Sequence, residues 1–215
     1  MRTLATALSA ATFSLVACAP ILPPPSPSSP FPETPAESPS PSGLGQPVDV
    51  FGEADIERLR ASGLLLPVRG VSLGKVEDSF DAPRDGGRRH DAVDIMAPRG
   101  TPILAATDGT VLRVGTNALG GNVIWMTDRD ERFSFYYAHL DRYARGIKQG
   151  DHVARGAVIG YVGTTGNAPP DAPHLHFQLM RITDPARWSN GTPLNPLPFL
   201  VGDAGVTRTS PERRR

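Results

Sequence analysis

From Leu64 to about Val201 the chain is written in short apolar runs separated by glycine and polar residues. Val68–Leu73, Ala92–Ile95, Pro102–Ala105, Thr110–Val114, Asn122–Met126, Phe133–His139, Val158–Val162 and His174–Ile182 each have the length and β-branched or aromatic content of a strand. Many short strands with glycine turns, and no long helical period between them, predict a mostly β fold built as an antiparallel sandwich or barrel. Upstream, Glu53 to Ala61 spaces its apolar residues as a short amphipathic helix, with Gly63 at a common stop position. Further upstream the pattern vanishes: residues 20–47 hold 11 prolines and six serines. Such a stretch buries too little apolar area to offset the entropy of ordering it, so it reads as a disordered, semi-extended tether.

Two segments repeat one design. Gly100–Val111 and Gly150–Gly160 both run strand, glycine turn, strand, a duplicated hairpin also met in biotin- and lipoyl-carrier domains. Carriers need a lysine at a hairpin tip. The only lysines here, Lys75 and Lys148, do not sit between paired valine-rich strands, so a carrier role is set aside.

Composition adds little until the cysteine is considered. Lys plus Arg equals Asp plus Glu at 22 each, which gives no general attraction to nucleic acid. The single cysteine, Cys18, rules out an internal disulfide. It follows Arg2 and an apolar run from Leu4 to Val16 that is too short to span a bilayer but suits a signal-peptide core. Leu15-Val16-Ala17-Cys18 resembles a bacterial lipoprotein cleavage signal, in which the cysteine becomes the first mature residue and carries lipid. The expected organisation is a signal at 1–17, a lipid anchor and tether at 18–50, a short helix and linker at 51–66, the β domain at 67–201 and a disordered tail at 202–215. The expected location is the cell envelope, exported and anchored to the outer membrane through the N-terminal lipid.

The candidate chemistry lies in the histidines. Four of five fall in three short patterns: Arg-His90-Asp-Ala-Val-Asp94, Tyr-Tyr-Ala-His139-Leu and Pro-His174-Leu-His176-Phe. On a strand, His174 and His176 share a face while Leu175 and Phe177 point to the core, so one imidazole can bind a metal and the other reach a water on it. His90 and Asp94 would stand about 13 Å apart on a straight strand, so the chain must bend near Asp91-Ala92 for them to meet. His139 ends an aromatic run, and His152 lies in a polar turn with no expected role. Two histidines and a carboxylate are a known zinc donor set that leaves one position open. No His-Glu-x-x-His helix exists to supply a glutamate base, so spare imidazoles must do the acid–base work.

These patterns resemble the lysostaphin/LytM-type zinc endopeptidases of bacterial peptidoglycan. The likeness covers about residues 67–200 and rests on Gly87-Arg-Arg-His90-Asp-Ala-Val-Asp94-Ile, Ala97-Pro-Arg-Gly-Thr-Pro102, Tyr137-Ala-His139-Leu140, Gly160-Tyr-Val-Gly-Thr-Thr-Gly166, Pro173-His174-Leu-His176-Phe177 and Asn195-Pro196. The resemblance implies a zinc metallopeptidase domain with His90, Asp94 and His176 as metal ligands. His139 and His174 would be the catalytic pair beside the water. The implied partners are peptidoglycan stem peptides and crosslinks, and the expected state is a monomer. Ala92 stands where that family usually has glycine. The insert Asn167–Pro173 suggests a stiff loop at the groove edge. A different reading is a catalytically inactive relative that activates a cell-wall amidase; such relatives lack ligands or catalytic histidines, and all five positions are present here. A carboxypeptidase trimming stem peptides, or a protease acting on proteins, is a third.

Overall fold

A computed structural model describes residues 50–202. The signal, Cys18, most of the tether and nearly all of the tail lie outside the described residues. The chain opens with helix α1, Val50–Ser62, longer at its start than the pattern predicts. Gly63 ends it with φ +64° and returns its N–H to the Leu59 carbonyl at 2.9 Å. Eleven strands follow: β1 Leu64–Leu65, β2 Val93–Met96, β3 Pro102–Leu104, β4 Gly109–Asn117, β5 Gly121–Asp128, β6 Phe133–Tyr143, β7 His152–Val153, β8 Val158–Val162, β9 His174–Arg181, β10 Thr192–Leu194 and β11 Leu200–Val201. The fold is mostly β, as expected, and dominated by one large antiparallel sheet.

One expected strand is absent. Val68–Leu73 makes a single bridge, Val68 to Ile103, and then turns. Pro67 precedes that bridge, and Gly70 sits at φ +77° next to an exposed Arg69, so the run cannot stay extended.

The sheet forks at β6. One edge of β6 pairs with β5, which continues through β4 to β7. Its other edge is shared: Phe133–Ala138 pair with β9, and Leu140–Tyr143 pair with β8. Beyond β9 lie β2 and β10, and beyond β8 lies β3. The duplicated unit explains the second branch. Strand β3 of the first copy pairs with β8 of the second, and β4 of the first with β7 of the second. The copies thus embrace, with Gly100 and Gly150 in the same left-handed turn at φ +86° and +88°.

Alternation sets the two faces. On β9, Leu175, Phe177 and Leu179 are fully buried, while His174, His176 and Gln178 face the other way. On β6, Phe135 and Tyr137 point inward and pack on Phe177 at ring separations of 6.3 and 5.2 Å. The Tyr137 hydroxyl accepts from the Ala106 N–H at 3.1 Å, which satisfies both groups in the core. Burial raises its pKa, keeping the phenol neutral.

Candidate metal centre

Strand β2 lies beside β9 with Asp94 opposite His176 and Met96 opposite His174. The polar face of β9 therefore meets the polar face of β2. His90 precedes β2 and reaches the same place because the chain turns at Asp91, whose φ is +50°. The predicted bend is present, and the left-handed residue is Asp91 rather than Ala92. Aspartate tolerates that conformation better than most residues. Ala92 has an ordinary φ and is completely buried, which is why alanine serves where the family usually has glycine.

His139 arrives by a different device. Asn122 pairs with Leu140 and Ile124 with Tyr137, so Val123 alone faces both Ala138 and His139. This is a β-bulge. Without it, strict alternation would send His139 into the core beside Tyr137. With it, His139 takes φ +63°, donates its N–H to the Gly120 carbonyl at 2.7 Å and turns onto the groove. Histidine is among the residues enriched in that backbone region.

The four histidines and Asp94 line one open groove of about 920 Å³. His90 Nε2, Asp94 Oδ1 and His176 Nδ1 form a small triangle: 2.9 Å from His90 to Asp94, 3.0 Å from His90 to His176, and 3.2 Å from His176 to Asp94. Donors about 2.0 Å from a tetrahedral zinc would lie roughly 3.3 Å apart, so this triangle fits three corners of such a site. The chemistry of the donors fits as well. His90 Nδ1 lies 2.7 Å from the Ser79 carbonyl, which can only accept, so the proton is on Nδ1 and Nε2 presents a lone pair. Nε2 sits 2.9 Å from a carboxylate oxygen, a contact that either a proton on Nε2 or a metal ion held between the two atoms satisfies.

The electrostatics support a charged carboxylate at the centre of the cluster. Burial opposes the charge of Asp94, but hydrogen bonds and charges from His176 and His90 prevail and hold it far below the usual carboxylate range. Its second oxygen meets Arg84 at 2.5 Å. Burial lowers the pKa of His176, with Asp94 pulling the other way.

His139 and His174 stand beside the triangle, with ring centroids 4.9 Å apart, and His139 lies 5.7 Å from His176. Both are oriented by one connection, residues 163–173. His139 Nδ1 donates to the Thr165 carbonyl at 2.8 Å, and His174 Nδ1 to the Ala172 carbonyl at 2.7 Å. In their neutral forms both therefore carry the lone pair on Nε2. The connection is seated by Gly166 against Gly121; a Cβ on Gly166 would lie 2.2 Å from the Leu119 carbonyl oxygen. The pattern of histidines was legible in sequence, but these carbonyl partners were not, because backbone groups leave no residue signature. His152, on β7, hydrogen-bonds Thr110 of β4 and lies outside the groove.

Fold and site define a class: an antiparallel β protein in which two histidines and an aspartate, spaced to hold a metal ion, open to a groove. The model of peptidase family M23 matches residues 88–196, and the chain belongs to that family. It is 41% identical over 115 residues to glycyl-glycine endopeptidase ALE-1 of Staphylococcus capitis, covering 53% of this chain and 30% of the relative. It is 37% identical over 93 residues to peptidoglycan DD-endopeptidase ShyC of Vibrio cholerae, covering 43% of this chain and 20% of that protein. The chain thus spans less than a third of either relative. A solved structure of Helicobacter pylori Csd3 is similar with a TM-score of 0.50 and 31% identity, covering 64% of this chain and 34% of that one.

Proposed function

We propose that this chain is a zinc-dependent endopeptidase that hydrolyses the peptide crosslinks of bacterial peptidoglycan. The observation that carries the reading is the convergence of two histidines and a carboxylate, spaced as metal donors, with two further imidazoles whose Nδ1 atoms bind backbone carbonyls in one groove. His90, Asp94 and His176 hold the metal. Zinc, when bound, polarises the scissile carbonyl and brings the proton of the attacking water near neutrality in acidity. One of His139 and His174 takes that proton on Nε2. The other returns a proton to the leaving amine as the C–N bond breaks. Tautomers fixed by Thr165 and Ala172 spare the reaction the cost of orienting them. The family's relatives named above act as endopeptidases, one of them on peptidoglycan, and support the substrate class.

The test is mass spectrometry of purified sacculi digested with the full chain. The expected result is release of shortened or uncrosslinked muropeptides, abolished by a chelator and restored by zinc. Intact crosslinks after exhaustive digestion by zinc-loaded protein would overturn the reading.

We further propose that Cys18 carries lipid and holds the enzyme at the outer membrane, on the strength of the Leu15–Cys18 signal and the proline-rich tether after it. Two or more acyl chains give stable attachment. In cell fractionation, Cys18→Ala is expected to move the protein from membranes to the periplasmic supernatant. A variant that stays with the membranes would refute the anchor.

A further inference from the structure

A row of aromatic rings leading away from the candidate donors is not used by peptide hydrolysis: Tyr136 and Trp125 line the groove, and Trp188 packs against Trp125. Strand pairing places Gln178, Tyr136, Trp125 and Arg113 side by side on β9, β6, β5 and β4. The row of Asp94, His176 and Ala138 lies two residues further along. The Tyr136 ring meets the His176 ring edge-on at 5.9 Å, Trp125 lies 4.4 Å from Tyr136, and Trp188 lies 5.1 Å from Trp125. All three rings are half-buried, with faces or edges left open. Trp188 is held in place. It caps a one-turn helix begun by Asp184, whose side chain accepts from the Ala186 N–H at 3.0 Å and pairs with Arg187 at 2.9 Å.

The row has a distinct chemistry. Of the nearby cations, Arg84, Arg88 and Arg89 are on the segment before the first candidate donor, and Arg113 stands at the far end of the row beside Trp125. Around the rings stand carboxamides and a hydroxyl: Asn117, whose Nδ2 donates to the Tyr136 hydroxyl at 2.9 Å, Gln178 and Ser189. Half-buried aromatic rings bordered by carboxamides and a hydroxyl, with one guanidinium, Arg113, at the far end, suit a flat, uncharged, polar ring: its C–H face stacks on the indoles and its hydroxyl and acetamido edges meet the hydrogen-bonding groups. A pyranose has that shape, and an acidic peptide does not.

We propose that Tyr136, Trp125 and Trp188 form a binding strip for the N-acetylated pyranose rings of a glycan strand, so that crosslinks are cut while their stems are still attached to glycan. This rests on the peptidoglycan reading above and adds to it a second substrate element and a specificity-determining residue, Trp188. The protein carries its own probe, since Trp125 and Trp188 are the only tryptophans in the chain. Any change in tryptophan emission reports on this strip alone.

The test has two arms, both with the full zinc-loaded chain. In the first, a chito-oligosaccharide of four sugars is titrated against tryptophan emission. A saturable change is expected, weakened about tenfold in Trp188→Ala and largely restored in Trp188→Phe. In the second, kcat/KM is measured on intact sacculi and on a sugar-free crosslinked peptide dimer. The ratio of the two is expected to fall about tenfold in Trp188→Ala. No saturable emission change at up to about 10 mM sugar would overturn the proposal. So would an unchanged ratio in Trp188→Ala, or a self-association of the wild type that Trp188→Ala abolishes, which would make the strip a contact between copies. Wild-type protein that cleaves neither substrate would instead defeat the endopeptidase reading and leave the emission arm to decide the strip.

Discussion

Asp94→Ala is expected to purify without zinc and to release no muropeptides, a loss of roughly a thousandfold or more. The size follows from the several kcal/mol that a Lewis acid supplies at the transition state, at 1.36 kcal/mol per decade. The cause is geometric. Asp94 Oδ1 is the corner shared by both short edges to the imidazoles, and its charge survives burial only because His176 and His90 face it. Removing it leaves two neutral donors, which hold a dication poorly. Metal analysis of the purified protein checks the first half and muropeptide mass spectrometry the second. A variant that keeps one zinc per chain would remove Asp94 from the donor set. Asp81→Ala is the companion control: that exposed carboxylate pairs with Arg89 close by in sequence and is expected to leave the zinc content intact.

The second large effect separates binding from chemistry. His139→Ala and His174→Ala are each expected to keep zinc and lose about 10²- to 10⁴-fold in kcat, the usual worth of a positioned proton-transfer group. Zinc loss from either variant would contradict its place beside the metal rather than on it. His139 also leaves a signature in stability. Burial, against the help of the Thr165 carbonyl, lowers its pKa from 6.5 to about 4. The folded chain therefore binds fewer protons than the unfolded chain between those values, so its stability is full above about pH 6.5 and declines as pH falls toward about 4. A bound dication pushes the same way. Thermal melts across that range are expected to fall with acidity in the wild type and to fall less in His139→Ala. Equal slopes would show that His139 is not held neutral by the fold.

The strength of the sequence lay in what alternation and spacing can encode. The His174-x-His176 strand, the bend between His90 and Asp94 and the stop at Gly63 are local facts about backbone geometry, and each is found where the residues predict it. The strand drawn through Val68–Leu73 failed for a local reason too: Pro67 and Gly70 outweigh the apolar residues between them. What stayed hidden is non-local. The bulge that turns His139 outward needs Val123 across the ladder, and nothing in Tyr-Tyr-Ala-His-Leu announces it. The two copies of the duplicated unit are plain in sequence, but their exchange of strand partners is a matter of topology. The aromatic row draws on two strands and a distant turn, so Trp125 and Trp188, 63 positions apart, showed no relation until the sheet was assembled.

The connection that supplies the Thr165 and Ala172 carbonyls has a consequence for how such an enzyme can diversify. Its two ends are fastened to His139 and His174, while Pro169, Pro170 and Asp171 between them are exposed. New wall shapes can be written into that span, like a changeable bit in a fixed chuck, without moving the two imidazoles. Conversely, a ligand that pried the span loose would silence both imidazoles at a single stroke.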